Sequence, residues 1–335
     1  MGHSTVGNVG VTSNEFYVPS IAPKSGLALA PLIVVLGPTG AGKSELALHI
    51  AQAVGGEIVN CDSVQVYRGL EIGSAKLSLQ ERRGIPHHLL DIVGPHEELT
   101  AGAYAALARA TLQGVAERGN VAVVVGGTGF YLRALLAGLS PAPPRDARLR
   151  VRLSALASRR PAALHRFLRR HDPASALRIH GNDHQKLMRA IELTWLSKQP
   201  ASRVQSAPRQ PLHGFRVLKL GLTPARNSLR EALDTRSTEI FRRGIVEETR
   251  ALLASGLDPR AKSLETLGYK QAVEFITGEI SLADAVRQCQ IRTRQYAKRQ
   301  MTWFRAEPDV EWLAGFGGDP AVQEKALGLA REFLI

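Results

Sequence analysis

Through the first part of the chain, short apolar runs alternate with amphipathic stretches, and the runs end on glycine or polar residues. Leu32 to Gly37, LIVVLG, is rich in β-branched residues and closed by glycine, the pattern of a strand buried on both faces. A helix should follow from Lys43 to about Val54. Gly56 to Asp62, GEIVNCD, predicts a second strand, and His88 to Val93, HLLDIV, a third. Thr100 to Arg118 is Ala-rich and predicts a helix. Asn120 to Tyr131, NVAVVVGGTGFY, reads as a fourth strand that runs through a glycine turn into another helix. Strands alternating with helices imply a parallel, doubly wound α/β sheet. In such sheets the active site lies at the carboxyl ends of the strands. Three of these ends carry chemically useful residues: Gly37 to Ser44, Asp62 to Gln65 and Gly126 to Gly129.

The pattern changes at Gly138 to Asp146, GLSPAPPRD, where prolines 141, 143 and 144 mark a boundary. Short helices are expected beyond it, up to a second Pro-rich stretch at Pro200 to Pro211. Phe215 to Leu222, FRVLKLGL, then returns as a strand, followed by mostly helical sequence to about Arg305 and a late strand at Val310 to Leu313. The economical reading is an α/β core over 31–139 and 213–335, a helical domain inserted over 140–212, and a flexible extension over 1–30.

Charge sharpens this division. The 335 residues include 43 Lys and Arg against 30 Asp and Glu, a net charge of +13, which favours an acidic partner such as nucleic acid. Between Arg145 and Arg189 the count is 12 against 3, so the basic excess is concentrated in the insertion. The 2 cysteines, Cys61 and Cys289, exclude a disulfide framework and favour a reducing compartment. No apolar run reaches the roughly 18 residues of a membrane span, and the N-terminal extension lacks a signal-peptide pattern. A cytoplasmic monomer without a membrane partner is the expectation.

The candidate chemistry begins with Gly37, Pro38, Thr39, Gly40, Ala41, Gly42, Lys43 and Ser44, which satisfy G-x-x-x-x-G-K-[ST] between a predicted strand and helix. The glycines let backbone N–H groups turn towards phosphate oxygens, and the helix N-terminus faces the same place. Lys43 adds a point charge, and the Ser44 hydroxyl is placed to ligate Mg²⁺. ATPases of this class usually pair the loop with a strand ending in Asp. Here the best candidate strand ends in Gly126-Gly127-Thr128, without an acid. The two adjacent histidines, His87 and His88, would point to opposite faces of a strand and so make a poor metal site.

Six blocks then occur in one order: GPTGAGKS, DSVQVYRGLEIGSAK, IPHHLLDI, GGTGFYLRALLAGL, NDHQKLMRAIEL and YAKRQMTWFR. Together they resemble the bacterial tRNA dimethylallyltransferases, also called tRNA isopentenyltransferases, from about Leu32 to Leu313. The loop departs slightly, reading Thr39-Gly40-Ala41-Gly42 where bacterial members more often have T-A-S-G. The resemblance implies a P-loop nucleoside-triphosphatase-like sheet, and transfer of a five-carbon prenyl group from dimethylallyl diphosphate to N6 of the adenosine immediately 3′ of a tRNA anticodon. It implies Asp62 as the base that takes the N6 proton, and Thr128 and Arg236 at the leaving diphosphate. It further implies tRNA contacts at Asp62, Ser63, Val64, Gln65, Thr128, Arg150, Gln185, Lys186, Leu187, Met188 and Arg189. The tRNA anticodon stem-loop, dimethylallyl diphosphate and Mg²⁺ are the implied partners. The basic residues between Ala285 and Arg305 are a second basic wall or a pyrophosphate-facing cluster. An adenylate isopentenyltransferase acting on free AMP or ATP, a P-loop small-molecule kinase and a non-enzymatic RNA-binding module remain as rival readings.

Overall fold

A computed structural model describes residues 29–335; all but the last two residues of the expected extension over 1–30 lie outside them. The first half of the core runs β1 (Ala30–Leu36), α1 (Lys43–Val54), β2 (Gly56–Asn60), β3 (His87–His88), α2 (Ala101–Glu117), β4 (Val121–Val125) and α3 (Gly129–Leu136). The helices α4 (Ala147–Arg159), α5 (Ala163–His171), α6 (Pro173–Arg178), α7 (His184–Ser197) and α8 (Ala201–Gln205) follow. The chain then continues through β5 (Phe215–Leu222), α9 (Arg226–Arg242), α10 (Ile245–Ala254), a 3₁₀ turn (Lys262–Glu265), α11 (Tyr269–Ile276), α12 (Leu282–Phe304), β6 (Val310–Leu313) and α13 (Pro320–Leu334).

The six strands form one sheet in the order β3-β2-β4-β1-β5-β6, and all its pairings are parallel. The central strands β1 and β4 are continuous apolar runs because both of their faces are covered. On one face Ile33, Val35, Val123, Val125, Leu220 and Leu222 pack with Leu46 and Ile50 of α1 and Val322 and Ala326 of α13. Register matters more for function. Val35 of β1 and Asn60 of β2 both pair with Val125 of β4, so the three strands end level. The segments starting at Gly37, Cys61 and Gly126 therefore leave the sheet at one edge.

The third strand is shorter than the sequence pattern implies. Only His87 and His88 pair, with Ile58 and Val59 of β2. Leu89 (φ 62°) and Asp91 (φ 56°) then adopt left-handed backbone and turn the chain away from the sheet. Ile92 and Val93 instead donate their N–H groups to Val66 O, and Val93 makes a lone bridge with Tyr67. The apolar residues after His88 thus cover the loop that follows β2.

The chain divides into two compact units: residues up to Leu135 with Leu212–Ile335, and Leu136–Pro211. In the second unit α4 to α8 enclose a core that includes Leu153, Leu164, Leu168, Leu187, Met188 and Ile191. Its buried Glu192 accepts hydrogen bonds from Arg189 Nη1 (2.6 Å), Asp146 N (2.7 Å) and Arg150 Nε (3.2 Å). Burial alone would raise the carboxyl's pKa, but these donors outweigh it and hold the group below its ordinary range. No helix among the described residues is long and apolar enough to cross a membrane.

Candidate active site

The phosphate-loop sequence folds as a tight turn between β1 and α1. Gly42 takes φ 81° as the residue before the helix, and a Cβ there would lie 2.9 Å from the Gly317 backbone nitrogen. That strained, crowded position requires glycine. The Gly317 N–H also donates to Ala41 O (2.8 Å), so the segment after β6 backs the loop. Lys43 and Ser44 are half-buried on the first turn of α1. The Lys43 ammonium donates to Pro38 O (2.8 Å), curling over the turn.

Asp62 follows β2. Its Oδ1 accepts from Val64 N (2.8 Å) and Gln65 N (3.4 Å), which closes a side-chain-capped turn and leaves Oδ2 outside those bonds. Asn60 supports the turn from behind, accepting from Asp62 N (3.1 Å) and donating to Leu89 O (3.0 Å). Gln65 is pinned by donating to Ser74 O (3.1 Å). The loop beyond it is held by Lys76, whose buried ammonium donates to Tyr67 O (2.9 Å) and pairs with Glu71 and Asp91.

Thr128 comes off β4 beside this turn. Its hydroxyl accepts from Ser63 N (3.0 Å) and donates to Ser63 Oγ (3.1 Å), joining two strand ends. Arg236, half-buried on α9, is the third cationic or acidic group of the cluster. Its surroundings lower its pKa through burial, and the charge of Asp62 opposes that shift. Lys43 responds alike: burial pushes its pKa down to about 8, Asp62 pulls it upward, and Arg236 lowers it further. Lys43, Asp62 and Arg236 are thus one electrostatic group.

The sequence reading gave no individual role to Gln300 or Tyr296 on α12. Gln300 is buried; its Oε1 accepts from Thr39 N (2.8 Å) and its Nε2 donates to Gly127 O (2.8 Å). It therefore ties the phosphate loop to the glycine turn, and a Cβ at Gly127 would sit 2.3 Å from its amide nitrogen. The Tyr296 hydroxyl lies beside the side chains of Gln300 and Thr128. Burial first, and the charge of Asp62 second, push its pKa well above the usual phenol range. Both residues fall within YAKRQMTWFR, so the block marked the segment without marking their contacts.

The other expected site residues lie in the second unit. On α7, Gln185 and Lys186 are exposed, whereas Leu187 and Met188 point into that unit's core. Consecutive helical residues are about 100° apart around the axis, so one run of five cannot present every side chain to one surface. Arg150 and Arg189 both engage Glu192, and Arg189 also donates to Pro143 O (2.9 Å). The basic residues of α12 divide as well: Arg287 pairs with Asp284 and Arg294 with Asp234, while Arg292, Lys298, Arg299 and Arg305 are exposed. His87 Nδ1 lies 2.8 Å from Ile85 O and His88 Nε2 2.6 Å from Glu57 Oε2, so the histidines have separate partners. Among the described residues no group of three or more His, Cys, Asp or Glu could hold a metal ion. A cation at this edge would take an oxygen from Ser44 and draw its other ligands from a bound phosphate and water, a donor set that suits Mg²⁺.

A parallel sheet with a G-x-x-x-x-G-K-[ST] loop after β1, a hydroxyl after the neighbouring β4 and a carboxylate after β2, the next strand out, defines a P-loop α/β protein. The family model for IPP transferase matches residues 65–307. The chain is 52% identical over 304 residues to the tRNA dimethylallyltransferase of Solibacter usitatus (strain Ellin6076), covering 91% of this chain and 99% of that protein. It is 48% identical over 301 residues to the tRNA dimethylallyltransferase of Koribacter versatilis (strain Ellin345), covering 90% and 98%. The crystal structure of the full-length tRNA isopentenylpyrophosphate transferase from Bacillus halodurans superposes with a TM-score of 0.67 at 30% identity, over 91% of this chain and 97% of the other. A eukaryotic dimethylallyltransferase acting on tRNA gives a TM-score of 0.76 at 27% identity, over 91% and 79%. The chain belongs to the IPP transferase family.

Proposed function

We propose that this protein transfers the dimethylallyl group of dimethylallyl diphosphate to N6 of the adenosine immediately 3′ of the anticodon in tRNA, releasing pyrophosphate. The observation that carries this reading is the convergence of the phosphate loop, Asp62 and Thr128 on one sheet edge, with no acid closing β4. A strand-end acid that positions metal for γ-phosphate chemistry is replaced there by a hydroxyl and a glycine turn. The site is arranged to hold a diphosphate as a leaving group.

The reaction we assign is direct displacement. The N6 lone pair attacks the allylic carbon as the bond from that carbon to the diphosphate oxygen breaks. The N6 proton passes to Asp62, whose Oδ2 is outside the turn's hydrogen bonding. The N–H groups of the loop, Lys43 and Arg236 take up the charge that develops on pyrophosphate, and Thr128 faces its bridging oxygen. Mg²⁺ held by Ser44 and the diphosphate would neutralise further negative charge. Ser63, Val64 and Gln65 present the polar end of β2 to the base. In the basic second unit, Gln185 and Lys186 meet the RNA directly, and Arg150 and Arg189 do so through the guanidinium edges that Glu192 leaves open. Leu187 and Met188 support them from the core.

Radiolabelled dimethylallyl diphosphate supplied with unmodified tRNA, or with AMP, tests this assignment alongside a parallel tube of labelled ATP. Label entering only tRNA is the expected result. Label entering AMP, or phosphoryl transfer from ATP, would overturn it.

A further inference from the structure

Phe130 and Trp195 are the only exposed aromatic residues among those described, and Phe130 stands 50% exposed two positions after Thr128. A lone exposed ring on a protein surface is ordinary. The setting of Phe130 is not. One stripe of α12 runs along the glycine turn of β4: Tyr296 beside Thr128, Gln300 on Gly127 O, and Trp303 against Gly129, where a Cβ would lie 2.1 Å from its Cδ1. These residues recur at helical spacing, so they share one face. Phe130 extends the line outward. Its ring meets Trp303 edge-on, with centroids 6.4 Å apart and planes at 86°, while the Arg133 guanidinium lies 4.1 Å from the centre of the Trp303 ring. Lys298, Arg299 and Arg305, all exposed, occur on and at the end of the same helix.

A rigidly backed aromatic face, two residues from Thr128 and against a helix, α12, that carries exposed cations, suits a flat, electron-rich group attached to an anionic backbone. We propose that Phe130 is a stacking platform for a base of the tRNA flanking the modified adenosine, and so sets RNA affinity. The inference rests on the functional reading above. Extracting one adenosine from its stack leaves its neighbours with an uncovered face, and an aromatic ring can cover it whatever the base, since every base has a π-face. Arg133 and the exposed cations of α12 neutralise the nearby phosphates.

The test is steady-state transfer to unmodified tRNA by the wild type, F130A, F130L and F130Y, with thermal midpoints recorded for each. F130A should raise the tRNA KM about ten-fold, corresponding to about 1.4 kcal/mol of stacking. The donor KM and saturated kcat should stay within about two-fold. F130Y should restore the wild-type value, and F130L, apolar but without a π-face, should behave like F130A. In a binding assay, 2-aminopurine placed beside the target adenosine should be quenched by the wild type and not by F130A. An unchanged tRNA KM in F130A overturns the proposal. So does full rescue by leucine, or a rise in donor KM alone, which would make the ring a cover for the allyl group. A wild type that does not prenylate tRNA overturns the functional reading itself, and this inference with it; an active wild type matched by F130A removes only the platform.

Discussion

Gln300→Ala removes a side chain that bridges the loop after β1 and the glycine turn after β4. The amide accepts from Thr39 N and donates to Gly127 O, both at 2.8 Å, and is itself buried. Alanine would strand one backbone donor and one acceptor, each costing about 1–3 kcal/mol when it stays away from water. Thr39 is half-buried, so water relieves part of its share, and a net loss of about 2–4 kcal/mol is expected. For a chain of this size that lowers the thermal midpoint by roughly 3–6 °C, measurable by calorimetry or dichroism. The phosphate loop, no longer tied to the glycine turn, should also raise the KM for dimethylallyl diphosphate by about ten-fold. Gln300→Glu separates the two bonds, because it keeps the acceptor for Thr39 N but sets a carboxylate oxygen against Gly127 O. A midpoint within about 1 °C of wild type and an unchanged donor KM in Gln300→Ala would refute the idea that this amide organises the site.

Lys43 gives a pH test. With its pKa lowered to about 8, its charge in the free protein is lost as pH rises through that value. The kcat/KM for the donor should therefore fall about ten-fold per unit above roughly pH 8, and Lys43→Met should be slow at all pH without that limb. Stability moves oppositely: between about 8 and the ordinary value of 10.5 only the unfolded chain keeps the proton, so this residue's contribution rises with pH. Denaturation curves of wild type against Lys43→Met would expose the difference. Asp62→Asn keeps an oxygen to cap the Val64 N–H while removing the base, so transfer should drop about 10²–10⁴-fold with little change in thermal midpoint; wild-type turnover would remove the assignment. Glu192→Ala strips Arg150 and Arg189 of their buried partner and should cost the second unit about 3–5 kcal/mol. Limited proteolysis should then cut within 136–211 at denaturant concentrations the wild type resists, and equal resistance would count against a structural role for that carboxylate.

The strands of the sheet's centre were legible because a strand covered on both faces must be apolar throughout, and LIVVLG and VAVVV are. HLLDIV carries similar composition but forms only two paired residues, because pairing depends on backbone geometry at Leu89 and Asp91 that apolarity does not report. The tight glycine turn between β1 and α1 was readable from motif spacing, since a left-handed, crowded backbone position such as Gly42 accepts little else. Gln300 was not. Its partners at Thr39 and Gly127 are distant in sequence, and a buried glutamine within a basic helix resembles its neighbours until the fold places it. For the same reason QKLMR looked like one continuous binding segment, although the helix turns Leu187 and Met188 inward.

The Thr39–Gln300 bond spans 261 residues of sequence. At a synthesis rate of about 5–20 residues per second, the loop is made roughly 13–50 seconds before the amide that fixes it. For about the first two-thirds of that interval β1 also lacks β5, its partner along the whole strand. A nascent chain can thus display the full phosphate-loop motif before the residue that fixes the loop's backbone exists, so the motif is complete in sequence long before it is complete in structure.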